Sequence, residues 1–339
     1  MSVDSKPAEL SLEPLRIESL IEANRRQMTS SRQGMRWMYS SFWGGWTQDP
    51  ALMLLPVDDH GFHRGDAVFE AIKFSATKIY LLTEHLMRLQ RSANRIGLSL
   101  PWSQAELASL LNYGVQAVIS DANSPMSQGL IRLFVTRGPG DFSPNPYTTL
   151  GSQLHVVITE LSPVKKDWLT RGCRVGVSKV AVKPAPYPQI KSCNYLPNVL
   201  MKKEAVDRGL DFVVSVDSSG FLAESATENF AWLDVQGSLC FPRPLHILDG
   251  CTLTRAAKLA ESMGWMVKEV NARPEDLRSA RGGMMIGTTL DVTPVGEFQL
   301  ADLESDRIQW WGSEKNLDER IFELRRKLIE DQLATFGKS

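Results

Sequence analysis

Apolar and polar positions change rhythm several times along this chain, and each change marks an element. Residues 1 to about 36 are mostly polar; Ile17, Leu20, Ile21 and Met28 form a short amphipathic stretch that also carries Arg25, Arg26 and Arg32 and predicts an appended helix. From Trp37 the runs shorten, and MYSSFW and ALMLLPV predict strands on either side of the turn-rich GGWTQDP. Leu82, Leu86, Leu89, Ala93 and Ile96 recur at spacings of four and three, which places one face of a helix over 82–98. GLIRLFVTRG and SQLHVVITEL predict two further strands around the loop GPGDFSPNPY.

A charged segment, SPVKKDWLTRG, then suits a connector between domains. RVGVSKVAV predicts a strand, PAPYPQ breaks regular structure, and LPNVLMKKEAVDRG predicts a helix ending at Gly209. DFVVSVD and FLAESATENFAWLD read as a hairpin turning at Ser218, Ser219 and Gly220. TLTRAAKLAESMG is a helix between Gly250 and Gly264, and LDERIFELRRKLIEDQLATF a charged terminal helix with structural duty. The division this predicts is an extension over 1–36, a small α/β domain over 37–162, a connector over 163–174, a larger domain over 175–300 and a helical tail over 301–339.

Composition narrows the function classes. The 339 residues are 43% hydrophobic, enough for a substantial core and two domains. Lys and Arg number 38 against 39 Asp and Glu, so no charge imbalance points to nucleic acid or an acidic membrane. No stretch of about 18 apolar residues occurs, and the start MSVDSKPAELSLEP lacks the pattern of a signal peptide. Cys173, Cys193, Cys240 and Cys251 lie far apart, which fits reduced thiols and a cytoplasmic location, and no spacing suggests a metal site. A small-molecule enzyme is the expectation.

Lys191, in PQIKSCNYLPN, sits between a proline-broken strand and a helix, a junction where lysine is ordinarily a solvated cation. Apolar Ile190 and Cys193 flank it, and burial would favour the unprotonated amine that attacks a carbonyl cofactor. A ring nitrogen on such a cofactor needs a carboxylate beside it; Glu224 and Glu228 both interrupt FLAESATENFAW, and spacing does not choose between them. A phosphate needs backbone N–H groups at a helix start and an arginine fork. DGCTLTR offers the first through Gly250, Cys251 and Thr252, Arg88, Arg91 and Arg95 offer the second, and Thr288 and Thr289 stand at a strand end after Gly287.

In order, HGFHRGDAVFEAIKF, EHLMRLQRSANRIGL, IKSCNYLPNVLMKKEA, SSGFLAESATENFAW, ILDGCTLTR and GTTLDVTPV resemble the blocks of the class IV aminotransferases, the fold type IV enzymes that use pyridoxal 5′-phosphate. The resemblance runs from about Met38 to Val295. It implies an α/β (α+β) fold of two domains, the larger with a strand-rich, barrel-like core, the cofactor between them, and a homodimer sharing loops across its interface. By resemblance Lys191 is the Schiff-base lysine and proton carrier, Glu224 rather than Glu228 the partner of the pyridine nitrogen, and Tyr195 the partner of the phenolic oxygen. Arg88 rather than Arg91 is the phosphate arginine, helped by Cys251, Thr252 and Thr288. Arg64, Arg132 and Thr289 fall where substrate is bound; Arg64 replaces the aromatic usual before that glycine. The implied reaction moves an amino group between a small amino acid, branched-chain-like by preference, and a 2-oxo acid such as 2-oxoglutarate. VFEAIKF follows the transaminase pattern rather than that of the aminodeoxychorismate lyases, whose β-elimination is the alternative; a cofactor-binding sensor without turnover ranks third.

Overall fold

A computed structural model describes residues 16–122, 125–300, 306–312 and 316–336, so the expected extension and tail are described only in part. Six strands make the first sheet: β1 (Met35–Ser40), β2 (Gly45–Thr47), β3 (Ala67–Ser75), β4 (Lys78–Ile79), β5 (Gln128–Thr136) and β6 (Gln153–Glu160). Their order is β2-β1-β6-β5-β3-β4, with every pairing antiparallel. Side chains alternate across a strand, so Ile72 and Phe74 of β3, Ile131 and Leu133 of β5 and Val156 and Ile158 of β6 share one buried face. The helices Leu82–Arg95 and Gln104–Ile119 cover it with Leu86, Leu89, Leu107 and Leu111. The opposite face carries Phe69, Arg132, Phe134 and His155 from adjoining strands.

The second helix has no counterpart among the predicted elements, although Ser103 and Glu106 cap it reciprocally. ALMLLPV is not a strand. Pro50–Leu52 forms one 3-10 turn capped by Asp49, and residues 53–57 join no strand. Pro50 and Pro56 bring no N–H to a ladder, and apolar content does not replace those donors. The amphipathic stretch of the extension does form a helix, Ile17–Arg26, tied down where Arg25 bridges Asp49 at 2.6 Å.

The second sheet contains β7 (Cys173–Val177), β8 (Phe212–Val216), β9 (Leu222–Ser225), β10 (Asn229–Leu233), β11 (Leu239–Pro242), β12 (Val267–Val270), β13 (Gly282–Gly287), β14 (Asp291–Gln299) and β15 (Arg307–Gln309). Following the hydrogen bonds, β10-β13-β14-β7-β8-β9 returns to β10 through the pair Asn229↔Glu224, which closes a barrel of six strands. Val175, Val214, Leu222, Phe230, Met285 and Val295, one from each ring strand, meet in one cluster that fills it. Outside, the helices Cys251–Ser262 and Glu319–Phe336 pack on Ala231, Leu233, Met284 and Ile286.

Several boundaries differ from those expected. The run FLAESATENFAWLD divides into β9 and β10 because the chain turns through residues 226–228. β7 begins inside the expected connector and stops at Val177, and β15 adds a strand to the expected helical tail.

Where the connector enters the barrel, a Cβ on Gly296 would stand 1.9 Å from the Arg171 carbonyl oxygen, and one on Gly172 2.2 Å from the Gly296 nitrogen. Backbone cannot yield there as a side-chain end can. Gly296→Ala is expected to cost about 1–3 kcal/mol in urea unfolding, while Gly34→Ala, whose nearest neighbour is 3.5 Å away, should stay within about 0.5 kcal/mol.

Candidate active site

β3 organises the site from both faces. On its helix side Glu70 is fully buried, and the helix Leu82–Arg95 lowers Arg88 and His85 onto it from successive turns. Arg88 donates from Nε to Oε1 at 2.8 Å and from Nη2 to Oε2 at 2.7 Å, and His85 Nδ1 lies 2.7 Å from Oε2. Burial alone would push the Glu70 carboxyl up, but the charge and fork of Arg88, joined by His85, hold it well below the usual carboxylate range. The third arm of Arg88, Nη1, donates to the Asp249 carbonyl at 2.9 Å, immediately before Gly250.

Gly250 begins the Cys251–Ser262 helix without any side-chain cap, so the first N–H groups of that helix are free to meet an anion. A Cβ at Gly250 would fall 2.0 Å from Asn229 Oδ1, so any side chain there would have to push the Asn229 amide aside. Asn229 in turn donates to the Leu248 carbonyl and pairs with Ile286 in β13, which brings the helix start against the end of that strand. Gly287 and the turn containing Thr288 and Thr289 come directly after it. Arg88 and the helix start at Cys251 and Thr252 thus lie near the closure point of the barrel, and Thr288 follows the end of the adjoining strand. Arg91 is instead half-exposed and pairs with Asp249 at 3.1 Å.

On its other face and edge, β3 receives the lysine segment. Phe69 N donates to Lys191 O at 2.9 Å, Cys193 N donates to Ala67 O at 2.9 Å, and Lys191 N donates to Ser92 Oγ at 3.1 Å. Lys191 is buried, and its Nζ stands 4.5 Å above the Phe69 ring, which stacks on Phe134. Burial, aided by the Arg88 charge, pulls the amine down to about 8 against the opposing pull of Glu70 and Glu224.

Lys191 lines one small cleft together with Lys183, Tyr195, Asn198, Glu224 and Ser225. Burial pushes the Glu224 carboxyl up to about 7, opposed by a 2.8 Å hydrogen bond from Leu248 N and by the charges of Lys183, Lys191 and Arg88. Glu228 bends back onto Thr227, accepting from its backbone and hydroxyl, and lines a neighbouring pocket. Burial likewise raises the Tyr195 hydroxyl. Asn198 Oδ1 and Ser225 Oγ are buried polar atoms with no partner.

Of the residues assigned to substrate, Arg132 lies on the Phe69 and Phe134 face, donates to Thr159 Oγ1 at 2.7 Å, and faces no carboxylate among the hydrogen bonds and ion pairs of the described residues. Burial lowers its pKa. Arg64 is exposed and does not line the Lys191 cavity; it donates to the carbonyls of His63 and Phe142. Glu70, His85, Asn229 and Asn198 were not among the expected site residues. Glu70 had a signal, a charge in the otherwise apolar-alternating AVFEAIKF, whereas the others depend on contacts distant in sequence.

The family signature described as Amino-transferase class IV spans residues 67–298. Over 268 residues the chain is 35% identical to the chloroplastic D-amino-acid transaminase of Arabidopsis thaliana, covering 76% of this chain and 68% of that protein. It is 29% identical to the D-alanine aminotransferase of Bacillus licheniformis over 242 residues, 70% of this chain and 81% of that one. In fold it is similar to the branched-chain amino acid aminotransferase of Escherichia coli, with a TM-score of 0.76 at 21% identity over 90% of this chain and 97% of that chain. The chain belongs to the class IV aminotransferases, and it is a transaminase of the type IV fold.

The depressed Lys191 amine gives a pH signature. Between about 8 and the ordinary 10.5 the unfolded chain holds a proton that the folded chain has released, so this lysine makes stability rise with pH in that window. The stability of wild type relative to Lys191→Met apoprotein should therefore rise with pH from 8 to 10.5, as read by urea midpoints. A flat difference would mean an ordinary amine.

Proposed function

We propose that the chain moves amino groups between a small amino acid and a 2-oxo acid such as 2-oxoglutarate, using pyridoxal 5′-phosphate held between the barrel and the first sheet. One observation carries this reading: a buried amine with a lowered pKa shares its cavity with a carboxylate and a tyrosine, beside an uncapped helix start and an arginine fork. The donor set fits the cofactor. Arg88, the N–H groups of Cys251 and Thr252 and the Thr288 hydroxyl would take the phosphate, Glu224 the pyridine nitrogen and Tyr195 the phenolic oxygen, while the partnerless Asn198 and Ser225 atoms mark a cavity built for a polar guest.

When bound, the cofactor supplies an electron sink for charge developing at the substrate Cα. Lys191 Nζ, held over Phe69, takes the Cα proton and returns it one position away, a role that lowering its pKa to about 8 favours by enlarging the unprotonated share. Glu224, kept from water, would meet the ring nitrogen, with the charges of Lys183 and Arg88 opposing the rise that burial gives its carboxyl. The stacked pair of Phe69 and Phe134 offers an apolar wall suited to a branched aliphatic side chain, and Arg132 and Thr289 are assigned to substrate carboxylates.

The functional unit is a homodimer in the cytoplasm. Val57, Phe62, Phe142, Tyr147 and Leu150 stand exposed on the two loops that Arg64 links, an apolar surface of the kind an interface covers. Its four thiols are unpaired, and among the described residues no helix is long and apolar enough to cross a membrane.

Borohydride treatment of the cofactor-loaded protein should place the label on Lys191 in a peptide map. Lys191→Ala should lose that label and lower amino-group exchange by about a hundred- to ten-thousand-fold. Cofactor bound without exchange in a screen of amino acids against 2-oxoglutarate would overturn transamination in favour of a sensor.

A further inference from the structure

The turn that carries Thr288 and Thr289 is built unusually. It joins β13 to β14 and ends at Asp291, whose backbone has φ +56°, a left-handed conformation that a non-glycine residue keeps only where its surroundings enforce it. The enforcement is visible. Lys73 Nζ lies 2.5 Å from Asp291 Oδ1, and Gln332 Nε2 donates to the same oxygen at 2.6 Å. All three side chains are buried. Arg325 Nη1 donates to the carbonyls on either side, Leu290 at 2.9 Å and Val292 at 2.7 Å, and Thr293 Oγ1 donates to Leu290 O at 2.7 Å.

Apart from Thr293 of β14 itself, these partners come from two distant places in the chain. Lys73 belongs to β3, an odd number of residues beyond Glu70 and therefore on the opposite face. Gln332 and Arg325 come from the terminal helix, to which the sequence assigned only structural duty. A single strand thus grips Arg88 with Glu70 on one side and the Thr288 turn with Lys73 on the other.

We propose that Asp291 is a positioning residue for the cofactor phosphate: clamped by Lys73 and Gln332, it fixes the turn so that Thr288 faces the cup formed by Arg88 and the Gly250 helix start. The inference rests on the cofactor reading proposed for this site. It makes the terminal helix part of the phosphate site without any contact of its own with the ligand.

Asp291→Asn keeps shape and tolerance of positive φ but removes the charge, and pairing it with Lys73→Met removes the nearest cation as well, leaving Arg325, 4.0 Å from the other Asp291 oxygen, on the Leu290 and Val292 carbonyls. Two readouts are needed. In the apoprotein, amide hydrogen exchange at residues 288–290 should accelerate about tenfold or more, the scale of one lost charge-assisted hydrogen bond, with the interior of β13 unchanged. In the loaded protein, pyridoxal 5′-phosphate should bind about tenfold more weakly and the ³¹P resonance of its phosphate should move towards the free position. Lys73→Arg alone, which keeps the ion pair with Asp291, should leave both near wild type, an outcome that a general sensitivity of the fold to substitution at 73 would not give. A folded double variant with wild-type exchange at the turn, or with wild-type affinity and ³¹P signal, overturns the proposal. Should the wild-type chain bind no cofactor, the functional reading fails instead, and exchange at the turn still decides the clamp.

Discussion

The buried fork between Arg88 and Glu70 is the interaction on which the rest of the site depends. A guanidinium taken out of water needs a carboxylate in bidentate geometry, and removing either member would leave an uncompensated charge in the interior. Because Glu70 is fixed in the longest-paired strand of the first sheet, and Arg88 and His85 lie on one helix packed against it, the fork locks that helix in position and orientation. The same guanidinium then reaches the Asp249 carbonyl and ties the first sheet to the helix start of the barrel. Two separately folded layers thereby share one reference point.

From that point the electrostatics of the cavity follow. Arg88 is held charged by Glu70, and its field adds to burial in depressing the Lys191 amine. Glu224 experiences the opposite balance: burial raises its carboxyl, and the cations around it limit the rise. An amine and a carboxylate whose environments move their proton affinities towards each other, both to near neutrality, are suited to exchanging protons with a bound reactant rather than to forming a static ion pair. The Phe69 ring under the amine completes this arrangement, since it offers a weak attraction to the cation in place of a full counter-charge.

The barrel contributes geometry more than charge. Its closing pair, Asn229↔Glu224, places the carboxylate at the seam, and the Asn229 side chain packs directly against Gly250 at the helix start. One residue thus links the closed sheet to the anion cup.

Much of this was legible in the chain. The helix bearing Arg88 follows from the four-three spacing of Leu82 to Ile96, β5 and β6 follow from their apolar alternation, and DGCTLTR announces a helix start because glycine before a threonine and an apolar period has few other uses. Ordered blocks of residue types point to the family without any knowledge of the fold. Local pattern failed where backbone hydrogen bonds, not apolar content, decide the outcome: ALMLLPV has the composition of a strand but prolines in place of donors. Pattern was also silent on every interaction between segments far apart in sequence, among them Glu70 with Arg88, Lys73 with Asp291 and Gln332, and Asn229 with Gly250. The sequence by itself determined which residues could do chemistry and on what elements they ride, since those depend on neighbours within a turn or a strand. Only the tertiary structure decided which charges are paired, which remain available and how far each proton affinity moves, because burial and Coulomb fields are set by distances in space that the order of residues does not encode.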